Sequence, residues 1–513
     1  MFRRVITHLG LVCLALALAP SGAQNLGLVP YNTRLEISGK IWNSGSWSAF
    51  CADEQDRSLN GDADTDDTIL FLVDTQNFRL TSVGLAIDYP TASSDERPPV
   101  ALSPTVIALQ VSERDQGNVD LNKDTRVEGN VLALFLPATR QAVNLGVSGV
   151  NLIWLEKTLY FAQYERTAGK DLNGDGDLRD AILCRMELDT RKVEPLGLEC
   201  EAGIQAAGKL LALQTSELAQ GNRDLNGDGD TGDIVAQVYD PATRKVVSTG
   251  LECSGGLAFT DKLIAIGVQE NRQGKKDLNG DSDTLDTVMF VWDLAGRTAI
   301  DLGQDCSAGF GADGEVVGFV TSEAAQGLKD ITEDGDATDD AVQAWTLSER
   351  KLLNPKRDGS GGLEVEGGKL IFGCSEVAQD DKDLNKDKDS DDTVVFWYDP
   401  VGGKLTNTGW SVTDVFVGGE GRVVWRVSEI DQGDKDLNRD RDTDDQVCMV
   451  IDGATGAVST PNLACGLELT CGRFAVTFSV PEADQGSRDL NGDGDPDDEI
   501  VHVVRIGAGS RTP

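Results

Sequence analysis

The sequence predicts an all-β chain of about nine tandem four-stranded antiparallel units, and three observations predict it. A ten-residue acidic loop occurs nine times, at 58–67, 120–129, 171–180, 224–233, 277–286, 330–339, 383–392, 436–445 and 489–498. The last seven copies start at Asp171, Asp224, Asp277, Asp330, Asp383, Asp436 and Asp489, a constant step of 53 residues. A fixed period of that size marks one structural unit copied in tandem. The segments around each loop are short runs of branched apolar and aromatic residues, and no stretch of 11 or more residues carries a helical period.

One unit, 255–303, gives the elements in order. Residues 255–259 (GGLAF) read as a short strand and Thr260-Asp261 as a turn. KLIAIGVQE (262–270) is the second strand, the acidic loop follows, and DTVMFVWD (286–293) is the third. A turn at Leu294-Ala295-Gly296 leads to RTAIDLG (297–303), the fourth. KLLALQTSE (209–217) and RFAVTFSVPE (473–482) repeat the second strand, and DIVAQVYD (233–240) and DTVVFWYD (392–399) the third.

Four short antiparallel strands in tandem describe the blade of a β-propeller, with the acidic loop between its second and third strands. The strand pattern resembles the blades of Tol-type periplasmic propellers. The resemblance spans 24–513 and implies a single propeller domain there. The chain ends support closure. The last unit stops after EIVHVVRI (499–506) without a fourth strand, while NLGLVPY (25–31) resembles the fourth-strand segments AVNLGV and EPLGLE. The N-terminal strand is therefore expected to complete the last blade and leave no free sheet edge. Propellers commonly have four to eight blades. The first two steps are irregular at 62 and 51 residues, so eight blades with a divergent cap, or an open array, stand beside nine.

Residues 1–23 read as a secretory signal: Arg3 and Arg4, an apolar run from Leu9 to Leu18, then Ser21-Gly22-Ala23 before Gln24. The apolar run is shorter than the roughly 20 residues of a membrane span. A secreted, periplasmic or cell-surface location follows, with no membrane-spanning segment and a monomer expected. The formal charge is −40, from 86 Asp and Glu against 46 Lys and Arg, which argues against a nucleic-acid partner. Nine of ten cysteines follow the leader, and Cys200, Cys253, Cys306 and Cys465 share one repeat position. Mostly free, buried thiols are expected, with a few bridges as the alternative.

The loops carry the chemistry. In 171–180 oxygens come from Asp171, Asn173, Asp175, Asp177 and Asp180, with Gly174 and Gly176 allowing a tight path. At about 5 Å and an effective dielectric of 20, each like-charged pair costs roughly 3 kcal/mol, so a repeated cluster points to a bound cation. Oxygen donors without His or Cys favour Ca²⁺ over transition metals, and flexible coordination favours it over Mg²⁺. About eight sites are expected. The corresponding residues are Asn60, Asp62, Asp64 and Asp67; Asp224, Asn226, Asp228, Asp230 and Asp233; Asp277, Asn279, Asp281, Asp283 and Asp286. They continue with Asp330, Asp334, Asp336 and Asp339; Asp383, Asn385, Asp387, Asp389 and Asp392; Asp436, Asn438, Asp440, Asp442 and Asp445; Asp489, Asn491, Asp493, Asp495 and Asp498. Ser58 and Thr332 replace ligands in two copies, and the loop at 120–129 is degenerate, with Arg126 and Gly129 where carboxylates are expected and Arg126 as a candidate internal substitute charge.

These loops resemble the calcium loops of FG-GAP blades in integrin-type propellers, and more distantly EF-hand and thrombospondin type 3 loops. The resemblance implies the ion, while the spacing departs from each: Asp180, Asp233 and Asp286 stand tenth, and no Glu stands twelfth. A Glu and a Gln three residues on precede most loops (Glu217 and Gln220, Glu270 and Gln273, Glu323 and Gln326, Glu376 and Gln379), read as loop braces with direct ligation as the alternative. Tyr239, Trp292, Trp345 and Tyr398, also 53 apart, read as core between blades, with a ligand-stacking ring as the alternative.

His502 is the only histidine after the leader, which excludes a His-dependent triad, and no nucleophile elbow or phosphate loop occurs. The functional expectation is an exported calcium-binding propeller acting as a non-enzymatic binding or adhesion scaffold for a protein or glycan ligand. The alternative is a calcium-dependent phosphate-ester hydrolase.

Overall fold

The computed structural model describes residues 26–54, 57–87, 98–413 and 416–507. The leader expected at 1–23 lies outside the described residues. The described residues form nine four-stranded antiparallel sheets, each a propeller blade. In the fifth blade the strands are Leu257–Phe259, Leu263–Gln269, Thr287–Asp293 and Thr298–Asp305, within two residues of the bounds expected from sequence. Leu263 pairs with Asp293 and Gln269 with Thr287 without a register shift. Branched residues on both faces suit strands that are covered on both sides by neighbouring blades.

The innermost strand of each blade touches that of the next, and Leu469–Cys471 of the ninth touches Ile41–Ser44 of the first, so the ring is closed. Nine blades settle the count, and the 62-residue first step falls in the long connection between Ala86 and Val100. Closure uses the N-terminal strand, as expected. Leu28–Glu36 is the outer strand of the ninth blade, pairing Leu28 with Ile506 and Tyr31 with Val503. A buried hydroxyl pair, Ser48 and Thr477 at 2.8 Å, joins first and ninth blades.

The core lies between blades. Leu263, Met289 and Val291 of the fifth pack with Val317, Phe319 and Trp345 of the sixth. Tyr239 meets Tyr160 of the preceding blade edge to face at 6.4 Å. Tyr239, Trp292, Trp345 and Tyr398 are all buried, so they are core between blades. The nine described cysteines are free and buried, and burial pushes the Cys51 thiol up to about 12. His502 is buried with Nδ1 3.0 Å from the Ile500 carbonyl, and burial lowers its pKa. No described helix is long and apolar enough to cross a membrane.

Candidate metal centre

Each acidic loop bridges the second and third strands of its blade, and its neck is pinched by the backbone. Glu165 N–H donates to the Asp180 carbonyl at 2.9 Å, and Glu217 to Asp233 and Glu270 to Asp286 repeat the bond at 3.0 and 3.1 Å. The pinch brings the glutamate at the end of the second strand beside the tenth loop residue.

Inside the loop, side chains hold the backbone in successive Asx turns. Asp171 accepts Gly174 N–H at 2.6 Å and Gly176 N–H at 3.1 Å. Asn173 Oδ1 accepts from Asp175, Asp175 from Asp177, and Asp177 from Arg179, at 3.0, 3.1 and 2.8 Å. Gly174 and Gly176 have φ of +82° and +103°, the region glycine favours. In the seventh and eighth loops Lys388 and Arg441 take the second of these positions at +100° and +96°, which stores backbone strain.

Carboxylate oxygens converge in these loops. Those of Glu165, Asp175, Asp177 and Asp180 lie within 4.8 Å of one another, as do those of Glu54, Asp62, Asp64 and Asp67. Smaller groups are Glu217 with Asp230 and Asp233, Glu270 with Asp283 and Asp286, and Glu323 with Asp336 and Asp339, and three more groups occur. The first-position residues Asp171, Asp224, Asp277 and Asp330 stand outside these groups. Their carboxylates accept loop N–H donors instead. Asp228, Asp281 and Asp334 also stand outside.

The asparagines tie loops to neighbours. Asn173 Nδ2 donates to Asp180 Oδ2 and to the Ala219 carbonyl of the next blade, both at 3.0 Å. Asn279 reaches Asp286 and Ala325, Asn385 reaches Asp392 and Asp431, and Asn438 reaches Asp445 and Asp484 in the same way. Asn60 does the same with Asp67 and Asp115. The glutamine is an inter-blade brace: Gln220 accepts Glu199 N–H at 2.8 Å and donates to the Gly197 carbonyl at 3.1 Å, both on the preceding blade.

The glutamate also braces, as expected. One oxygen of Glu217 accepts Leu225 and Asn226 N–H at 2.5 and 3.3 Å. Its other oxygen has one long bond, from Asp233 N–H at 3.3 Å. In Glu54, Glu165, Glu429 and Glu482 the second oxygen is buried without a hydrogen-bond partner, and Glu113 beside the degenerate loop shares this feature. Asp387 and Asp440 each bury an unpartnered oxygen too. An unsatisfied buried polar group costs about 1–3 kcal/mol, so a cation held by a group of such oxygens would offset that cost.

Electrostatics agree. Burial first, then neighbouring aspartates, raises the tenth-position carboxyl against the opposing Asn hydrogen bond. Asp180, Asp233 and Asp286 are pushed up to about 6. Asp392 and Asp445 reach about 8. Burial, and the hydrogen bonds that their protonated carboxyls donate to Asp62 and Asp334, bring Asp67 and Asp339 to about 7. The donors are oxygen only, partly buried and under-satisfied, which fits a hard divalent cation. In the second loop Glu113 still braces Leu121 and Asn122 at 2.6 and 3.2 Å. Arg126 there is exposed, so it is no internal substitute charge.

The recurrence of a basic residue at one position of the repeat was not read from the sequence. Lys170, Arg223, Lys276, Lys329, Lys382, Lys435 and Arg488 stand immediately before the seven regular loops, and Arg57 before the first. All are exposed. Only the degenerate loop has Val119 at this position. Arg223 and Arg179 line a cavity of about 580 Å³ with Asp175, Asp177 and Asp180. The 53-residue spacing of these residues was the available signal.

No protein-family model matches the chain, and no curated protein matches it. Among solved structures it is similar to the β-propeller domain of the Trilobed protease from Pyrococcus furiosus, a propeller with an open velcro topology. The identity is 9%, the match covers 74% of this chain and 96% of that one, and the TM-score is 0.36. Pyrococcus horikoshii acylaminoacyl peptidase matches at 9% identity over 77% of this chain and 58% of that one, TM-score 0.33. TolB from Acinetobacter baumannii matches at 11% identity over 71% and 79%, TM-score 0.26.

Proposed function

We propose that the chain is an exported propeller whose rim loops bind calcium, and that it serves as a rigid, non-enzymatic scaffold for a protein or glycan ligand. The observation that supports it best is the repeated oxygen-only cluster in which buried carboxylate oxygens lack partners. The candidate ligands are those named from sequence, from Asn60 through Asp498, with the seventh- and tenth-position aspartates at the centre of the converging groups, joined by the fifth-position Asp62 and Asp175 in the first and third loops. In the closed ring, calcium would act structurally by offsetting repulsion in loops whose asparagines reach the next blade. Residues 1–23 are proposed to direct export, and a reporter fused behind them should leave the cytoplasm.

The test uses the intact mature chain with calcium and with chelator, on immobilised glycans and purified envelope proteins. The scaffold reading expects saturable binding that calcium preserves and no turnover. A second reading, a phosphate-ester hydrolase, draws support from Arg179 and Arg223 beside the third loop's carboxylates. Calcium-dependent phosphatase activity lost in Asp175→Ala or Asp177→Ala would replace the first reading with the second.

A further inference from the structure

We infer that the buried glutamate closing the second strand of a blade is a direct cation ligand, one oxygen holding the loop and the other the metal. This rests on the cation-site reading above and names a ligand that the loop motif leaves out.

Glu165 is wholly buried. One of its oxygens accepts the N–H groups of Leu172 and Asn173, the latter at 3.2 Å. The other is buried without a hydrogen-bond partner, and the residue's carboxylate lies within 4.8 Å of those of Asp175, Asp177 and Asp180. Glu54 repeats every feature: it is buried, braces Leu59 and Asn60, keeps one unpartnered oxygen, and converges with Asp62, Asp64 and Asp67. A brace needs only one acceptor oxygen, which a glutamine would supply while its amide donated to the nearby aspartates. A second charged oxygen turned into a group of three aspartates, with no donor to meet it, is the arrangement a hard cation satisfies. The metal would then tie the end of the second strand to the loop and close the hairpin, rather than only filling the loop.

Glu113 is the internal control. It braces Leu121 and Asn122 in the same way and also buries an unpartnered oxygen, but the degenerate loop places Arg126 and Gly129 where the partner carboxylates stand elsewhere, so the converging aspartates are what separate Glu165 and Glu54 from it.

The test is native mass spectrometry of the intact mature chain in calcium, with Glu165→Gln, Glu54→Gln and Glu113→Gln, followed by melting in calcium and in chelator. The amide oxygen keeps the brace. The expected result is one calcium fewer in each of E165Q and E54Q, two fewer in the double variant, and no change in E113Q. E165Q should melt below the wild type in calcium and at or above it in chelator, because only the ligand has been lost. A full calcium count in E165Q and E54Q overturns the inference alone. A wild-type chain that carries no calcium overturns both it and the cation-site reading.

Discussion

Calcium uptake by these loops should expel protons. Eight tenth-position carboxyls have raised pKa values: Asp392 and Asp445 at about 8, Asp67 and Asp339 at about 7, Asp180, Asp233 and Asp286 at about 6, and Asp498 raised chiefly by burial. At pH 7 the first pair hold about 0.9 proton each, the second about half, and the next three about a tenth. A cation must displace those protons to use the oxygens, so saturation at pH 7 should release about three protons from the first seven of these carboxyls. At pH 6 the release rises to about five, and at pH 9 it falls close to zero. Calorimetric titration with calcium in two buffers of different ionisation enthalpy reads this number directly. An observed heat that does not depend on buffer at pH 6 and 7, in a protein that does take up calcium, would refute the placement of the tenth aspartate on the cation.

Further outcomes follow from the same geometry. In chelator, stability should fall as pH rises from about 4 to 8, because raised carboxyls bind more protons in the folded state than in the unfolded one. Calcium should flatten that slope in thermal melts. Asp228→Ala with Asp230→Ala should remove one ion from the bound count. Asn279→Ala loses the 2.8 Å bond to Asp286 and the 2.9 Å bond to the Ala325 carbonyl, and should cost about 2–3 kcal/mol in urea unfolding. Lys388→Gly should stabilise by about 1 kcal/mol, since it relieves a left-handed backbone at φ +100°; an unchanged midpoint would show that the strain is absent.

Much of the fold was legible because its signals are local and repeated. The alternation between branched strands such as 262–270 and turns such as Thr260-Asp261 set the hairpins, and the 53-residue step set their copying. The N-terminal closure was legible from a missing fourth strand at one end and a spare one at the other. The blade number was not, because the long connection between Ala86 and Val100 broke the period where two units meet. In the site, the convergence of Asp175, Asp177 and Asp180 could be read from spacing. The separate role of Asp171 could not, since both uses need an aspartate and only the backbone path shows that Gly174 and Gly176 N–H groups meet it. The asparagine links between blades join residues 46 positions apart, so only the stacking of the ring shows them.

The central claim is that the rim loops hold divalent cations and that these pin the hairpin tips of adjoining blades. The most direct measurement is the metal content of the purified mature chain together with its melting temperature before and after chelation. With each site at 100 times its dissociation constant, calcium adds about 2.7 kcal/mol per site, so several occupied loops should give a large fall on chelation that added calcium reverses. A chain that carries no divalent metal, and melts at the same temperature with chelator as with calcium, would contradict it.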